Sequence, residues 1–114
     1  MQAIRIDRSK PLAEEPHVGH NRYHPDIPPV AEVGEGEEIG LETRDALDGQ
    51  ISPEMAGADL ASIEAGAVHP STGPVFVKGA APGDILEIEF TDRHAAHRIQ
   101  RDRAGSRIFA RRVH

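Results

Sequence analysis

The sequence contains no cysteine and no tryptophan, and its aromatic side chains are limited to three Phe and one Tyr in 114 residues. Without cysteine, disulfide bonds, thiolate-bound metals and cysteine nucleophiles are excluded. No apolar run is long enough to cross a membrane, and the apolar start at Met1–Ile6 is too short for a signal peptide and is followed by Asp7 and Arg8. We therefore expect a cytoplasmic, soluble protein without a membrane partner.

Glycine and proline are plentiful, with 11 and 9 copies. Such a composition shortens secondary structure elements and favours turns, so it indicates a loop-rich β protein rather than a helical bundle. The scarcity of aromatic side chains leaves only a modest core for one small domain. A partner segment or an oligomer interface would add to that core.

The formal net charge of −6 hides a sharp break along the chain. Residues 1–90 carry 6 Lys or Arg against 17 Asp or Glu, whereas residues 91–114 carry seven Arg against Asp92 and Asp102. A change of sign within one small domain requires an explanation.

The hydrophobic pattern predicts short strands separated by turns. Met1–Ile6 alternates weakly and predicts an edge strand, while the proline-punctuated residues 7–29 predict a long N-terminal loop. Ala56–Glu64 is short, Ala-rich and the best helical candidate. Further strands are predicted at Val30–Val33, Glu38–Arg44, Pro74–Val77 and Ile85–Phe90, the last with Leu86, Ile88 and Phe90 facing inward. The predicted fold class is mainly β: short antiparallel strands forming part of a β-sandwich or barrel-like fold, with one short helix.

Two segments that contain histidine could carry chemistry. His20 and His24 are spaced to share a metal on a helix, but Pro25 argues against a helix, and surface histidines in a polar loop are an equally good interpretation. His69 precedes a predicted strand, where a metal ligand or an acid/base group is easily presented. A hydrogen-bonded loop histidine is the commoner outcome at such a position.

A third cluster lies at the end of the strand that begins at Glu38. Asp45 and Asp48 are followed by Gly49 and Gln50, which places several oxygen ligands together. These groups could bind a hard cation or Zn²⁺, and one carboxylate could act as the general base for an attacking water. The alternative is that Asp48-Gly49 is a simple turn and that Asp45 caps it.

Three motifs in order resemble the start of the acetamidase/formamidase family. They are H-N-R-Y-H-P-D-I-P-P-V at His20–Val30, E-T-R-D-A-L-D-G-Q-I at Glu42–Ile51, and H-P-S-T-G-P-V-F-V-K-G-A-A-P-G-D-I-L-E-I-E at His69–Glu89. The resemblance runs from about Lys10 to Asp92. It implies a β-rich fold, hydrolysis of a small linear amide such as formamide or acetamide to carboxylate and ammonia, and assembly into a homo-oligomer.

The resemblance also implies site residues. The catalytic candidates are Asp45, Asp48, Gln50 and His69. Of these, Asp45, Asp48 and His69 would surround an activated water or a divalent metal such as Zn or Ca, and Gln50 would orient the amide. His20 and Tyr23 would bind substrate, with Tyr23 standing where family members usually have Trp.

The resemblance is predicted to end near residue 92, where the charge changes sign. Residues 1–92 would form the N-terminal part of the family domain, and residues 93–114 a basic tail outside the family, irregular or poorly ordered. One interpretation is an evolved basic tail. The other is a truncation by a reading-frame shift, which the codons of the gene can test.

Three functions compete. The first is an amidase, as an incomplete fragment whose activity alone is uncertain because groups from outside it would be needed. The second is a non-enzymatic binding module whose Arg-rich tail contacts nucleic acid or an acidic surface. Nucleic acid is not the expected partner, because the preceding residues are strongly acidic and Phe109 is the one aromatic in the tail that could stack on bases. The third is a purely structural β module.

Overall fold

The computed structural model describes residues 1–94 and 105–113. Strands dominate, and helical structure within these ranges consists of short 3₁₀ segments. The strands are β1 (Gln2–Ile4), β2 (Gly19–His20), β3 (Ala31–Val33), β4 (Glu38–Glu42), β5 (Ser71–Thr72), β6 (Val75–Val77), β7 (Ile85–His94) and β8 (Gly105–Val113). The 3₁₀ segments are Leu12–Glu14, Gly57–Ser62 and Ala65–Ala67. The mainly β class predicted from the sequence is confirmed, and the predicted helix at Ala56–Glu64 is 3₁₀ rather than α.

The main sheet has four strands in the order β1-β4-β8-β7. β1 forms an edge, as predicted, and runs parallel to β4, while β8 is antiparallel to both β4 and β7. Two small sheets accompany it, an antiparallel pair β2-β5 and a parallel pair β3-β6. The predicted antiparallel pairing is found for β2-β5, β4-β8 and β7-β8, whereas β1-β4 and β3-β6 are parallel. In both, the strands are far apart in sequence, so the short loops that favour antiparallel neighbours do not constrain them.

The core lies between β1-β4 and β3-β6. Ile4, Val33 and Ile39 form a buried cluster, and Ile39 is only 1% exposed. Partly buried hydrophobic side chains complete this cluster: Val18, Val30, Ala31, Leu41, Val75 and Val77. The turn after β3 therefore carries the chain from one sheet to the other, because β3 and β4 pair with different strands.

β7 has the alternating pattern predicted from the sequence, but its apolar side chains are not buried. Leu86, Ile88 and Phe90 are 41%, 53% and 58% exposed, so their predicted inward position is corrected. β7 is the second edge of the sheet, and the β3-β6 pair packs at the opposite end. The pattern correctly indicates an apolar face, but the described residues do not cover it.

β8 accounts for part of the charge break. The residues predicted to form an irregular tail include Gly105–Val113, which instead form a central strand, while residues 95–104 and 114 lie outside the described residues. The register places Arg111 opposite Glu87 and Arg107 opposite Asp92.

Candidate functional site

Three segments that are distant in sequence meet beside the end of β4. They are residues 19–23, residues 42–50 and residues 69–72, which overlap the three motifs of the sequence resemblance. β2 pairs with β5 and sets His20 opposite Ser71. His69 N donates to Ala46 O at 2.7 Å, and Thr72 Oγ1 donates to Glu42 O at 2.6 Å. Strand pairing and hydrogen bonds thus bring all three motifs to one place.

Asp45 organises the loop that follows β4. Its Oδ1 accepts a hydrogen bond from Leu47 N and its Oδ2 accepts one from Gly49 N, each at 2.8 Å. The next turn residues, Asp48 and Gly49, both have positive φ values, 52° and 74°. This is the capped Asp-Gly turn that the sequence offered as the alternative to a site. The Asp45 side chain is exposed and retains lone pairs, so capping leaves it able to accept a further hydrogen bond.

Asp48 is buried in a network centred on Arg44. Arg44 Nη1 donates to Asp48 Oδ1 at 3.0 Å, and Leu12 N donates to Asp48 Oδ2 at 2.8 Å. The side chains of Arg44 and Asp48 are 5% and 3% exposed. Both carboxylate oxygens of Asp48 are therefore engaged within the protein. This geometry suits a structural anion better than a general base.

Arg44 also ties the N-terminal loop to the site. Its Nη2 pairs with Glu15, whose side chain is 11% exposed, and its Nη1 donates to Lys10 O at 2.6 Å. Glu15 Oε2 in turn accepts from Asp7 N at 3.0 Å. One guanidinium thus joins two carboxylates and the loop backbone, a fork-like geometry to which arginine is well suited. The sequence analysis did not identify Arg44 and Glu15 as part of this network. Arg44 and Asp48 have opposite charges and are four residues apart, so their pairing could have been considered.

Asp7, at the start of this loop, has a perturbed carboxyl group. Ser9 Oγ donates to Asp7 Oδ1 at 2.5 Å, and Ser9 N donates to the same oxygen at 2.9 Å. These two hydrogen bonds favour the ionised form and lower the pKa of Asp7 from its usual value, with smaller contributions from Lys10 and Arg44.

His69 stands beside the Asp45–Gly49 loop in an uncommon backbone conformation. Its φ of 59° lies in the left-handed region, which a non-glycine residue adopts at a cost of about 1–2 kcal/mol. Such positions are concentrated at functional sites. The hydrogen bond from His69 N to Ala46 O holds the residue there, and its side chain is exposed. Of the predicted catalytic residues, His69 presents an accessible titratable group next to the acidic loop.

Gln50 is engaged by the backbone of Glu64. Its Oε1 accepts from Glu64 N at 2.8 Å and its Nε2 donates to Glu64 O at 3.3 Å. The side-chain amide therefore pairs with the backbone as a neighbouring strand would. These two hydrogen bonds anchor residues 51–64. Gln50 could orient a substrate amide only if it broke its hydrogen bonds to Glu64.

His20 and Tyr23 lie on the rim of the site. His20 Nδ1 donates to Arg22 O at 2.8 Å, and the two aromatic rings meet edge to face with centroids 6.1 Å apart. Tyr23 is 95% exposed. Asn21 Nδ2 donates to Gly66 O and fixes this segment against the 3₁₀ region.

The proposed metal ligands do not fit a metal in this arrangement. Within residues 1–94 and 105–113, no group of three or more His, Asp or Glu is placed to hold an ion. Asp48, moreover, uses both oxygens in the bonds to Arg44 and Leu12. A zinc or calcium site built from Asp45, Asp48 and His69 would require these bonds to break.

The chain is thus a β-rich segment in which three motifs that are distant in sequence meet. The model of the acetamidase/formamidase family matches residues 5–112, and the chain belongs to this family. The matched range extends past residue 92, where the resemblance was predicted to end, and includes most of β8.

Named relatives agree with the family model. The chain is 38% identical to an acetamidase from Mycolicibacterium smegmatis over 87 residues, and 35% identical to a formamidase from Methylophilus methylotrophus over 89 residues. These alignments cover 76% and 78% of this chain but 21% and 22% of the relatives, so the chain spans about a fifth of their length.

A solved structure shows the same fold. The gamma lactamase from Delftia acidovorans superposes with a TM-score of 0.76 at 37% identity, covering 85% of this chain and 24% of that one.

No helix within the described part of the chain is long and apolar enough to cross a membrane.

Proposed function

We propose that this chain supplies part of a site that hydrolyses the carbon–nitrogen bond of small linear amides such as formamide and acetamide. The observation that carries the proposal is the meeting of residues 19–23, 42–50 and 69–72 through the bonds described above. The named acetamidase and formamidase relatives support it. Because the chain spans about a fifth of these relatives, we expect residues outside it to contribute to the site, and we expect a homo-oligomer in the cytoplasm.

His69 is the group proposed to move protons. A water oxygen attacks the amide carbonyl carbon while the imidazole takes a proton from that water. The tetrahedral intermediate then collapses, the C–N bond breaks, and the imidazole returns the proton to the departing nitrogen. This gives a carboxylic acid and ammonia, and a final proton transfer between them yields carboxylate and ammonium, so atoms and charge balance. General acid–base catalysis of this kind contributes about 10²- to 10⁴-fold.

The other candidates take supporting roles. Asp45 lies on the loop bonded to His69 and can stabilise the imidazolium that forms, and Asp48 maintains that loop through Arg44. His20 and Tyr23 would contact the substrate from the rim. Nucleic-acid binding is not favoured, because residues 105–113 form a central strand between acidic neighbours.

The test is a chimera in which residues 1–92 replace the matching segment of the Mycolicibacterium smegmatis acetamidase. We expect the chimera to release ammonia from acetamide, and the 114-residue chain alone to release far less. In the chimera, His69→Gln should lower kcat by at least about 100-fold. The matched control is His17→Gln, an exposed histidine of the N-terminal loop outside the three segments.

Two outcomes would contradict the proposal. One is a folded chimera without amidase activity. The other is equal activity of the His69→Gln and His17→Gln chimeras, which would remove His69 from the proton-transfer role.

A further inference from the structure

The side chain of Gln50 and the backbone of Glu64 join the two ends of a surface segment. Gln50 Oε1 accepts from Glu64 N at 2.8 Å, and Gln50 Nε2 donates to Glu64 O at 3.3 Å. Glu64 is extended, with φ −79° and ψ 111°, so its N–H and C=O point to the same side and fit one edge of an amide. We call this pair the Gln50–Glu64 latch and the residues between its ends the 51–63 segment.

The hydrogen bonds that the 51–63 segment makes in the described part of the chain stay within the segment. They run from Met55 N to Ser52 O, from Ser52 N to Met55 Sδ, from Asp59 N to Ala56 O, from Ala56 N to Asp59 Oδ2, from Ser62 Oγ to Asp59 O and from Ile63 N to Leu60 O. The side chains are exposed, apart from the partly buried Met55 and Ile63. The latch therefore supplies the hydrogen bonds that hold the two ends of this segment together.

Both flanks of the segment are fixed to the candidate site. Gln50 N donates to Leu47 O at 3.2 Å, within the same loop that His69 N bonds. On the other flank, Asn21 Nδ2 donates to Gly66 O. Opening the latch would therefore free the 51–63 segment and leave its flanks in place beside the site.

A small amide can present to Gln50 the same two groups that Glu64 presents. A primary amide has an N–H on the same edge as its C=O, and so has a lactam, because its ring holds the amide cis. A secondary amide such as N-methylacetamide is trans, so its N-methyl group occupies that edge. Gln50 can thus exchange Glu64 for a primary amide or a lactam, with two hydrogen bonds broken and two formed.

We propose that a bound amide opens the 51–63 segment by taking the place of Glu64 on the side chain of Gln50. In the closed state Gln50 is occupied by Glu64, so the ligand forms this pair in the open state only. A ligand that prefers one of two states shifts the equilibrium toward it, and the segment is released as the amide binds. This inference rests on the proposed function for the presence of a small amide at the site.

The experiment measures amide hydrogen exchange by NMR on the full 114-residue chain. Saturating acetamide should accelerate exchange of the Glu64 N–H and of the 51–63 segment about 10-fold, which is the size expected when two hydrogen bonds are lost. Pyrrolidinone, a lactam, should have the same effect. N-methylacetamide should have none, because it cannot form the pair with Gln50.

Two variants assign the response to Gln50. Gln50→Ala should exchange at the faster rate without ligand and show no further response to acetamide. Gln50→Glu, which can accept from Glu64 N but cannot donate to Glu64 O, should give an intermediate rate. The matched control is Gln2→Ala, because Gln2 Nε2 also donates to a backbone carbonyl, Glu32 O at 2.6 Å, but lies in β1. This control should keep both the slow exchange and the response.

Three results would overturn the proposal: no response of the unmodified chain to acetamide, an equal response to N-methylacetamide, or a response retained in Gln50→Ala. The ligand comparisons use the unmodified chain and so do not depend on the folding of a variant. His69→Gln should abolish hydrolysis and leave the exchange response intact. Hydrolysis without the exchange response would contradict the latch alone, and the exchange response without hydrolysis would contradict the proposed function alone.

Discussion

Replacing Arg44 by Met should destabilise the chain severely. The guanidinium is the shared partner of Glu15 and Asp48, whose side chains are only 11% and 3% exposed. Its removal leaves two buried carboxylates without a counter-ion, and breaking a buried pair from one side costs about 3–5 kcal/mol. A domain of this size has a total stability of about 5–15 kcal/mol, so the loss is a large share.

Urea denaturation followed by far-UV circular dichroism measures the effect. With a slope of about 1–3 kcal/mol per molar urea, the midpoint should fall by about 2 M. The control is Arg5→Met. Arg5 Nη1 lies 3.7 Å from Glu42 Oε2, but the Arg5 side chain is 61% exposed. An ion pair with such an exposed partner is expected to contribute no more than about 1 kcal/mol to stability. Adding Glu15→Gln and Asp48→Asn to Arg44→Met should restore part of the loss. A loss below about 1 kcal/mol for Arg44→Met would refute a buried, tightly coupled network.

Two further predictions concern single residues. His69→Gly should be about 1 kcal/mol more stable than His69→Ala in urea denaturation, because glycine adopts the positive φ at position 69 without strain; equal stabilities would contradict the left-handed backbone. Ser9→Ala should raise the pKa of Asp7 toward its usual value in an NMR titration, and an unchanged value would remove Ser9 as the main cause. Because the folded pKa is lowered, the stabilisation that Asp7 provides is present above its unfolded pKa and is lost as the pH falls through the folded value.

Local patterns predicted the strands well and their partners poorly. The strands at Val30–Val33, Pro74–Val77 and Ile85–Phe90 all have counterparts in the structure, because alternation and turn residues act over a few positions. The parallel pairing of β1 with β4 places Ile4 opposite Leu41. These residues are too far apart in sequence for a local pattern to predict their pairing. The position of β8 was missed for a related reason, since its apolar residues follow no clear period.

The candidate site shows the same division. Motif order pointed to the three segments that meet, and the Asp45 turn was foreseen as an alternative. The role of each residue depends on contacts that the sequence alone does not reveal, such as those of Leu12 and Arg44 with Asp48. Likewise, Gln50 offered an amide in the sequence, and only the fold shows that Glu64 engages it. The catalytic and binding roles of His20, Tyr23 and His69 stay predictions.

The position of β8 has a consequence for how the chain is made on the ribosome. β8 follows both β4 and β7 in sequence but lies between them in the sheet. Until β8 emerges during synthesis, β4 and β7 present unsatisfied backbone donors and acceptors. β7 also presents its exposed apolar side chains. Nascent chains are therefore most prone to aggregate just before their closing strand arrives.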